Sequence, residues 1–280
     1  MDGAPGFAPA KINLSLHVTG RRADGYHLLD SLVAFADIGD RLEARAAPAL
    51  SLQVAGPLAE GVPLDGSNLV LKAALALKQH GKGASLVLHK HLPAAAGIGG
   101  GSSDAAAALR ILASLWDCPM PTADEVLALG ADVPVCLVGQ ACRMAGIGEV
   151  ITAVPRLPCV PAVLVNPRVD VPTPQVFKAL RNRDNAPMPE AIPQFHDVAE
   201  LAAWLRGQRN DLEAPAQQAQ PVIGTVLAAL SAAPGALLAR MSGSGATCFA
   251  LHDSADSAAR AARTLAEQHP DWWVVHGTLS

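Results

Sequence analysis

Leu92-Pro93-Ala94-Ala95-Ala96-Gly97-Ile98-Gly99-Gly100-Gly101-Ser102-Ser103-Asp104 places four glycines within five positions, then two serines, ahead of an alanine- and leucine-rich run from Ala105 to Trp116. Glycine opens backbone conformations that other residues avoid and lets a ligand approach the main chain. A serine at a helix start can cap it, and the free amides there attract an anion. The stretch therefore predicts a phosphate cradle leading into a helix over 105–116. No lysine precedes the serines, so this is not a Walker loop. Ser102 also stands where a dinucleotide fingerprint needs its third glycine. A tight strand-to-helix turn under a small-residue contact is the plainer alternative.

Outward from the loop, Ala84 to Lys90 reads as the strand that feeds it, and Ser67 as the cap of a helix from Asn68 to Gln79. Ala10 to Val18 alternates strictly. Ile12, Leu14, Leu16 and Val18 would face a core, with Lys11, Asn13, Ser15 and His17 on a polar wall toward a cleft or solvent. A turn at Arg22-Ala23-Asp24-Gly25 follows, with Tyr26 and His27 just beyond. On the far side, Thr122 caps a short helix ending at Gly130, and Val133 to Met144 reads as strand. Pro155, Pro158 and Pro161 punctuate the chain, which sets expected domains at 1–155 and 156–280. The second opens with a strand over 162–165 and a helix from Thr173. It closes with helix 222–232, strands 236–241 and 246–252, helix 255–268 and strand 272–278. That order suits an antiparallel sheet with helices on one face. Gly243-Ser244-Gly245 reads as a turn between two of those strands, and Asn210-Asp211-Leu212-Glu213 as a helix start.

Half of the 280 residues are apolar and 16% are charged, with a net charge of −4. This is the composition of a well-buried globular protein and gives no footing for nucleic acid. The five cysteines form no CxxC pair, which points to free thiols in a reducing compartment. With no charged-then-apolar leader and no long apolar run, a protein that does not enter a membrane is expected, cytoplasmic or, if a transit peptide has been trimmed, plastid-like. A monomer and a homodimer stay equally open.

Lys11 on a polar strand face and Asp132 in Gly130-Ala131-Asp132-Val133-Pro134 are each unremarkable alone, as a solvated lysine and a turn aspartate. Beside a phosphate cradle they have a joint use. Phosphoryl transfer needs a hydroxyl in line with the γ-phosphate and positive charge on the developing oxygens. An aspartate can accept the hydroxyl proton, and an ammonium nearby favours the ionised form of such a group.

Pro9-Ala10-Lys11-Ile12-Asn13-Leu14, the glycine-serine loop and Gly243-Ser244-Gly245-Ala246 resemble, in that order, the three motifs of the GHMP kinase superfamily. Asp24-Gly25-Tyr26-His27, the 130–134 segment and Pro172-Thr173-Pro174 resemble the branch whose substrate carries cytidine diphosphate. The resemblance covers almost the whole chain. It implies an α+β fold of two domains, an N-terminal α/β domain (ribosomal protein S5 domain 2-like) and a ferredoxin-like C-terminal domain, with the active site in the cleft between them. It implies an ATP-dependent kinase with Mg2+ that phosphorylates the 2-hydroxyl of 4-diphosphocytidyl-2-C-methyl-D-erythritol, in the non-mevalonate route to isoprenoid precursors.

By motif position the resemblance makes Lys11 and Asp132 the catalytic pair, with Asp132 as base. Pro93, Ala94, Ala95, Ala96, Gly97, Ile98, Gly99, Gly100, Gly101, Ser102 and Ser103 would wrap the ATP phosphates. Asn68 would line the adenine pocket, and Ser103 would approach the nucleotide-bound Mg2+. On the substrate side, Tyr26 and Phe177 would stack the pyrimidine, His27 would bond its edge, and Asn13 and Thr173 would complete the site. Val33 stands where some relatives carry an aromatic ring, so a third stacking contact is not expected. The alternatives are a GHMP kinase for homoserine or mevalonate, which have no base to stack, and a silent nucleotide-binding protein, which needs no charged pair.

Overall fold

Ile12, Leu14, Leu16 and Val18 are all buried, as their alternation requires, yet they do not share one strand. Strand β1 (Phe7–Asn13) ends and β2 (His17–Arg21) begins on either side of a short break. Across it the Leu14 and Ser15 amides both donate to the Leu32 carbonyl, and the Leu16 amide donates to Arg209 O at 2.8 Å. The opposite row, Lys11, Asn13, Ser15 and His17, is buried too, not turned to solvent. Such a row survives burial only because partners meet it. His17 Nδ1 lies 3.2 Å from Ala186 O, and Ser31 donates to the Ser15 carbonyl.

The computed structural model describes residues 6–77 and 82–280. After β2 come β3 (His27–Ala47), β4 (Ser51–Ala55), α1 (Leu69–Ala76), β5 (Gly83–His89), α2 (Gly100–Trp116), α3 (Ala123–Leu129) and α4 (Val133–Val138). They are followed by β6 (Cys142–Gly146), β7 (Val150–Ala153), β8 (Val160–Asn166), α5 (Thr173–Ala179), α6 (Val198–Arg206) and α7 (Glu213–Ala219). The chain closes with α8 (Val222–Ala232), β9 (Ala236–Met241), β10 (Cys248–His252), α9 (Ala255–Gln268) and β11 (Trp273–Leu279). Among these residues no helix is long and apolar enough to cross a membrane. The expected end of the first helix at Gln79 lies outside the described residues.

Two compact units form, and neither is continuous in sequence. The first takes β1 as far as Lys11, then Ile38–Ala94 and Gly99–Gly139. In it the second half of β3 pairs antiparallel with β5, which pairs parallel with β4. Leu86 and Leu88 from β5 meet Val70, Ala73, Leu109, Leu112 and Trp116 from α1 and α2 in its core.

The second unit takes Ile12–Asp37, Ala95–Ile98 and Gln140–Ser280. Its first-half β3 pairs antiparallel with β2 and β6, and β7 extends β6. Strands β9, β10, β8 and β11 form the expected antiparallel ladder. Val163, Val165 and Ala250 pack there against Val226 and Leu230 of α8 and Ala258, Ala262 and Leu265 of α9.

Three local expectations are corrected. Helix α2 starts at Gly100, five residues before Ala105, so Ser102 and Ser103 sit in its first turn and do not cap it. Gly99 is the N-cap, left-handed at φ 64°, with no side-chain bond. Asn68, not Ser67, caps α1 by accepting the Val70 amide. Val133 to Met144 is not one strand: α4 occupies Val133–Val138 and ends on left-handed Gly139, whose amide donates to Val135 O. A short apolar run does not distinguish strand from buried helix by period. Here Pro134 in the first turn, where no intrahelical donor is needed, and Gly139 at the end decide for the helix.

Candidate active site

In the first unit, Lys11 from β1 and Asp132 at the head of α4 form an ion pair of 2.7 Å, Nζ to Oδ1. The ammonium is 4% exposed and the carboxylate 35%, so the pair has one buried partner and one open to a ligand. Gly99 sits against Lys11: a Cβ there would lie 3.2 Å from the Lys11 Cβ. The head of the glycine helix and the charged pair are thus immediate neighbours. Cys136 lies by the same groups. Burial, and then the negative Asp132, push its thiol upward, so it stays protonated and unreactive.

Gly100 and Gly101 differ from Gly99 in kind. A Cβ on either would meet its nearest neighbour at 3.7 and 3.6 Å, ordinary contact distances. The fold makes no steric demand for glycine there, and bare backbone is what an anion at a helix N-terminus needs. Ser103 Oγ is buried and unpartnered. Asn68 uses both ends of its amide on the protein, accepting from Val70 N and donating to Pro63 O.

Beneath the loop lies a buried charge cluster that nothing in the local sequence marks. Lys90 donates to Asp40 and to Asp104 Oδ2, the latter at 2.8 Å. Asp40 also accepts the His91 and Leu92 amides, so one carboxylate pins the strand's exit into the loop. Burial opposes the Lys90 ammonium, but Asp104 and Asp40 together raise its pKa. Burial pushes Asp104 up to about 7, against the pull of Lys90. Among the described residues no group of three or more His, Cys, Asp or Glu could hold a metal ion. Ser103 Oγ and Asp104 Oδ1, both in the first turns of α2, are buried oxygens without a protein partner.

In the second unit, Ala95–Ile98 is gripped by the turn between β9 and β10. Gly97 (φ +72°) and Gly243 (φ +56°) pack backbone to backbone, and a Cβ on Gly97 would lie 2.5 Å from Ser242 O. Ser242 Oγ donates to Gly97 O and accepts the Asn13 amide, both at 3.0 Å, while the Thr247 amide donates to Ala96 O. Asn210, whose Oδ1 also caps the approach to α7, donates to Met241 O and Gly243 O. Gly243-Ser244-Gly245 is thus the turn that was expected, and it fixes the loop.

Also in the second unit, Asn13 Nδ2 donates to Ser31, leaving Oδ1 buried and without a partner. Thr173 Oγ1 lies 2.8 Å from Ser244 Oγ. Tyr26 is exposed, at 58%. His27 and Phe177 stack on each other, centroids 4.6 Å apart and planes at 22°. No base fits between those two rings. Val33 is fully buried.

The family model for the GHMP kinases N terminal domain matches residues 68–154, and that for the GHMP kinases C terminal matches 177–271. A relative from Dinoroseobacter shibae, 4-diphosphocytidyl-2-C-methyl-D-erythritol kinase, is 61% identical over 98% of this chain and 94% of its own. The chain is a GHMP kinase. A protein of the same name from Cereibacter sphaeroides (strain ATCC 17029) is 60% identical over 96% of each chain. The crystal structure of a 4-(cytidine 5'-diphospho)-2C-methyl-D-erythritol kinase, 37% identical, matches with a TM-score of 0.78 over 98% of both chains. This GHMP kinase therefore has the two-domain fold of mixed helix and sheet that its motifs imply, and is a phosphotransferase with an alcohol as acceptor. The family implies ATP as its phosphate donor.

Proposed function

We propose that this GHMP kinase transfers the γ-phosphoryl group of ATP to the 2-hydroxyl of 4-diphosphocytidyl-2-C-methyl-D-erythritol, in the cytoplasm, as a step toward isoprenoid precursors. The observation that carries the chemistry is the 2.7 Å Lys11–Asp132 pair beside the glycine at the head of α2. The substrate follows from the names of relatives identical at about three residues in five over nearly the full chain.

Asp132 accepts the proton of the acceptor hydroxyl as its oxygen attacks the γ-phosphorus and ADP departs. Lys11, held in place by that carboxylate, supplies positive charge to the phosphoryl oxygens. The bare amides at Gly100 and Gly101 and the loop from Pro93 to Ser103 hold the triphosphate, and Asn68 shapes the adenine end by fixing the start of α1. Mg2+ bound to the triphosphate would neutralise its oxygens, with Ser103 within its reach. Tyr26 stacks the pyrimidine, His27 bonds its edge with Phe177 behind it, Asn13 reaches the substrate next to the reacting hydroxyl, and Thr173 belongs to the same substrate site. The functional boundary at 155/156 belongs to the same proposal.

The test is ADP release from Mg·ATP with the cytidine compound, homoserine and mevalonate in parallel, with Asp132→Asn as the blank. Turnover with the cytidine compound alone, lost in the variant, is expected. Activity only with another alcohol would discard the cytidine pocket, and ATP binding without any turnover would favour a silent nucleotide-binding protein.

A further inference from the structure

The break between β1 and β2 has a side-chain counterpart in the second unit. Asn13 ends β1, and Ser31 lies in the first half of β3, opposite Met144 of β6. Both residues are fully buried. Asn13 Nδ2 donates to Ser31 Oγ at 2.7 Å, and Ser31 Oγ donates to the Ser15 carbonyl at 2.6 Å. Ser15 sits in the break and belongs to neither strand. Its own hydroxyl is engaged elsewhere, accepting the Leu32 amide and donating to Met188 Sδ. The Asn13 backbone is held too, its amide donating to Ser242 Oγ at 3.0 Å. What remains is Asn13 Oδ1, buried and with no partner among the described residues.

The direction of this chain of bonds follows from counting protons. A backbone carbonyl has none, so the one hydroxyl proton of Ser31 lies between its oxygen and that of Ser15. Ser31 can then only accept from Asn13, and of the two ends of a carboxamide only the nitrogen donates. The rotation that exchanges those ends is otherwise soft and roughly two-fold. Turned over, the amide would set its oxygen against the Ser31 oxygen with no proton between them, at the cost of an unmade buried hydrogen bond.

We infer that Ser31 is a positioning residue for the acceptor alcohol: it locks the Asn13 carboxamide with its oxygen turned to the substrate, where it accepts from a hydroxyl of the methylerythritol unit. The inference rests on the reading of Asn13 as a substrate residue. It also decides which end of the substrate Asn13 serves. The oxygens of a diphosphate are acceptors and have nothing to give a carbonyl. An alcohol hydroxyl donates, and so satisfies the one oxygen of Asn13 that the protein leaves unpaired. A ligand without a hydroxyl there would strand that oxygen, which is how a site built on a hydrogen bond rejects the wrong molecule.

The experiment is a double-mutant cycle on the full-length enzyme: wild type, Ser31→Ala, Asn13→Ala and the double variant. For each, kcat/KM for the cytidine substrate, KM for ATP and Kd for cytidine 5'-diphosphate are measured. Ser31→Ala should lower kcat/KM about three- to tenfold, and Asn13→Ala at least as much. In the Asn13→Ala background Ser31→Ala should cost nothing further, because its effect travels through that amide. Cytidine 5'-diphosphate has the base and the diphosphate without the erythritol hydroxyls, so its Kd should be the same in all four proteins, as should KM for ATP. Independent losses from the two substitutions would overturn the inference, since Ser31 would then be shaping the fold at large. So would a Kd for cytidine 5'-diphosphate weakened as much as kcat/KM. In the wild type alone, the Asn13 side-chain NH2 signal, assigned by its loss in Asn13→Ala, should exchange slowly with D2O. Exchange as fast as that of an exposed asparagine would overturn the inference even if Ser31→Ala does not fold. Full kcat/KM in Asn13→Ala would instead remove the reading of Asn13 itself, and the inference with it.

Discussion

Lys11 and Asp132 are joined by 2.7 Å but not equally enclosed: the ammonium is nearly buried and the carboxylate is one-third exposed. The two halves of the pair should therefore respond differently to removal. Asp132→Ala strands a buried ammonium and should cost about 1–3 kcal/mol of stability. Lys11→Met leaves a carboxylate that water can reach, and should cost less. Urea midpoints separate the two, and equal losses would contradict the asymmetry.

Activity should not follow that order. Asp132→Asn keeps the size of the side chain and removes the base, so kcat should fall by about 10²–10⁴-fold while ATP affinity stays near wild type. Lys11→Met should also lose most turnover despite its milder effect on stability. Nucleotide titration beside steady-state kinetics checks both, and an Asp132→Asn enzyme with normal kcat would remove the base.

Glycines of the loop divide into two classes, which stability and binding should resolve. Gly97 is left-handed and jammed against the backbone of the β9–β10 turn. Gly97→Ala should thus destabilise the fold by about 1–3 kcal/mol. Gly100→Ala meets only ordinary contacts and improves helix propensity by up to about 1 kcal/mol, so its stability should hold or rise. What it should lose is ATP affinity, because a methyl group stands where phosphate would approach. Normal nucleotide affinity in Gly100→Ala would argue that the cradle lies elsewhere.

Much of this arrangement was legible in the sequence, and the losses have physical causes. The alternation at 10–18 located the buried residues but hid the break at 14–16, because Leu16 leaves its neighbours to bond Arg209, almost 200 positions away. The head of α2 was hidden by the poor helix propensity of two glycines and two serines, overridden by packing and by the Gly99 cap. In α4, β-branched residues imitate a strand. Helix α6 went unread although Asp197 caps it through the Glu200 amide. At the site, Lys11, Asp132 and the loop were visible as motifs. The Asp40–Lys90–Asp104 cluster was not, since Asp40 and Lys90 lie 50 positions apart. Nor could the sequence show that His27 lies against the ring of Phe177, because a side chain's neighbour is a tertiary fact.

Tyr26→Ala offers a test of the pocket without a folding penalty, since the ring is more than half exposed. Stacking on a base is worth about 1–3 kcal/mol in nucleic-acid sites, so KM for the cytidine substrate should rise by roughly 5- to 150-fold. The thermal midpoint and KM for ATP should not move. An unchanged KM for the cytidine substrate would place its base away from Tyr26.

The buried cluster under the loop predicts a pH signature of stability. Asp104, pushed up to about 7 when folded, keeps its proton over a range where the unfolded chain, titrating near 4, has released its own. Within that window the unfolded state binds fewer protons, so rising pH favours unfolding. Below about 4 and above about 7 the contribution is flat. Lys90, whose pKa is raised, stays charged throughout and adds no slope there. Urea midpoints at pH 5 and pH 8 should therefore show a decline in wild type that is reduced in Asp104→Asn, which has no proton to lose. If the two proteins decline in parallel between those pH values, Asp104 is already ionised at pH 5 and the cluster holds its second negative charge without the help of a proton.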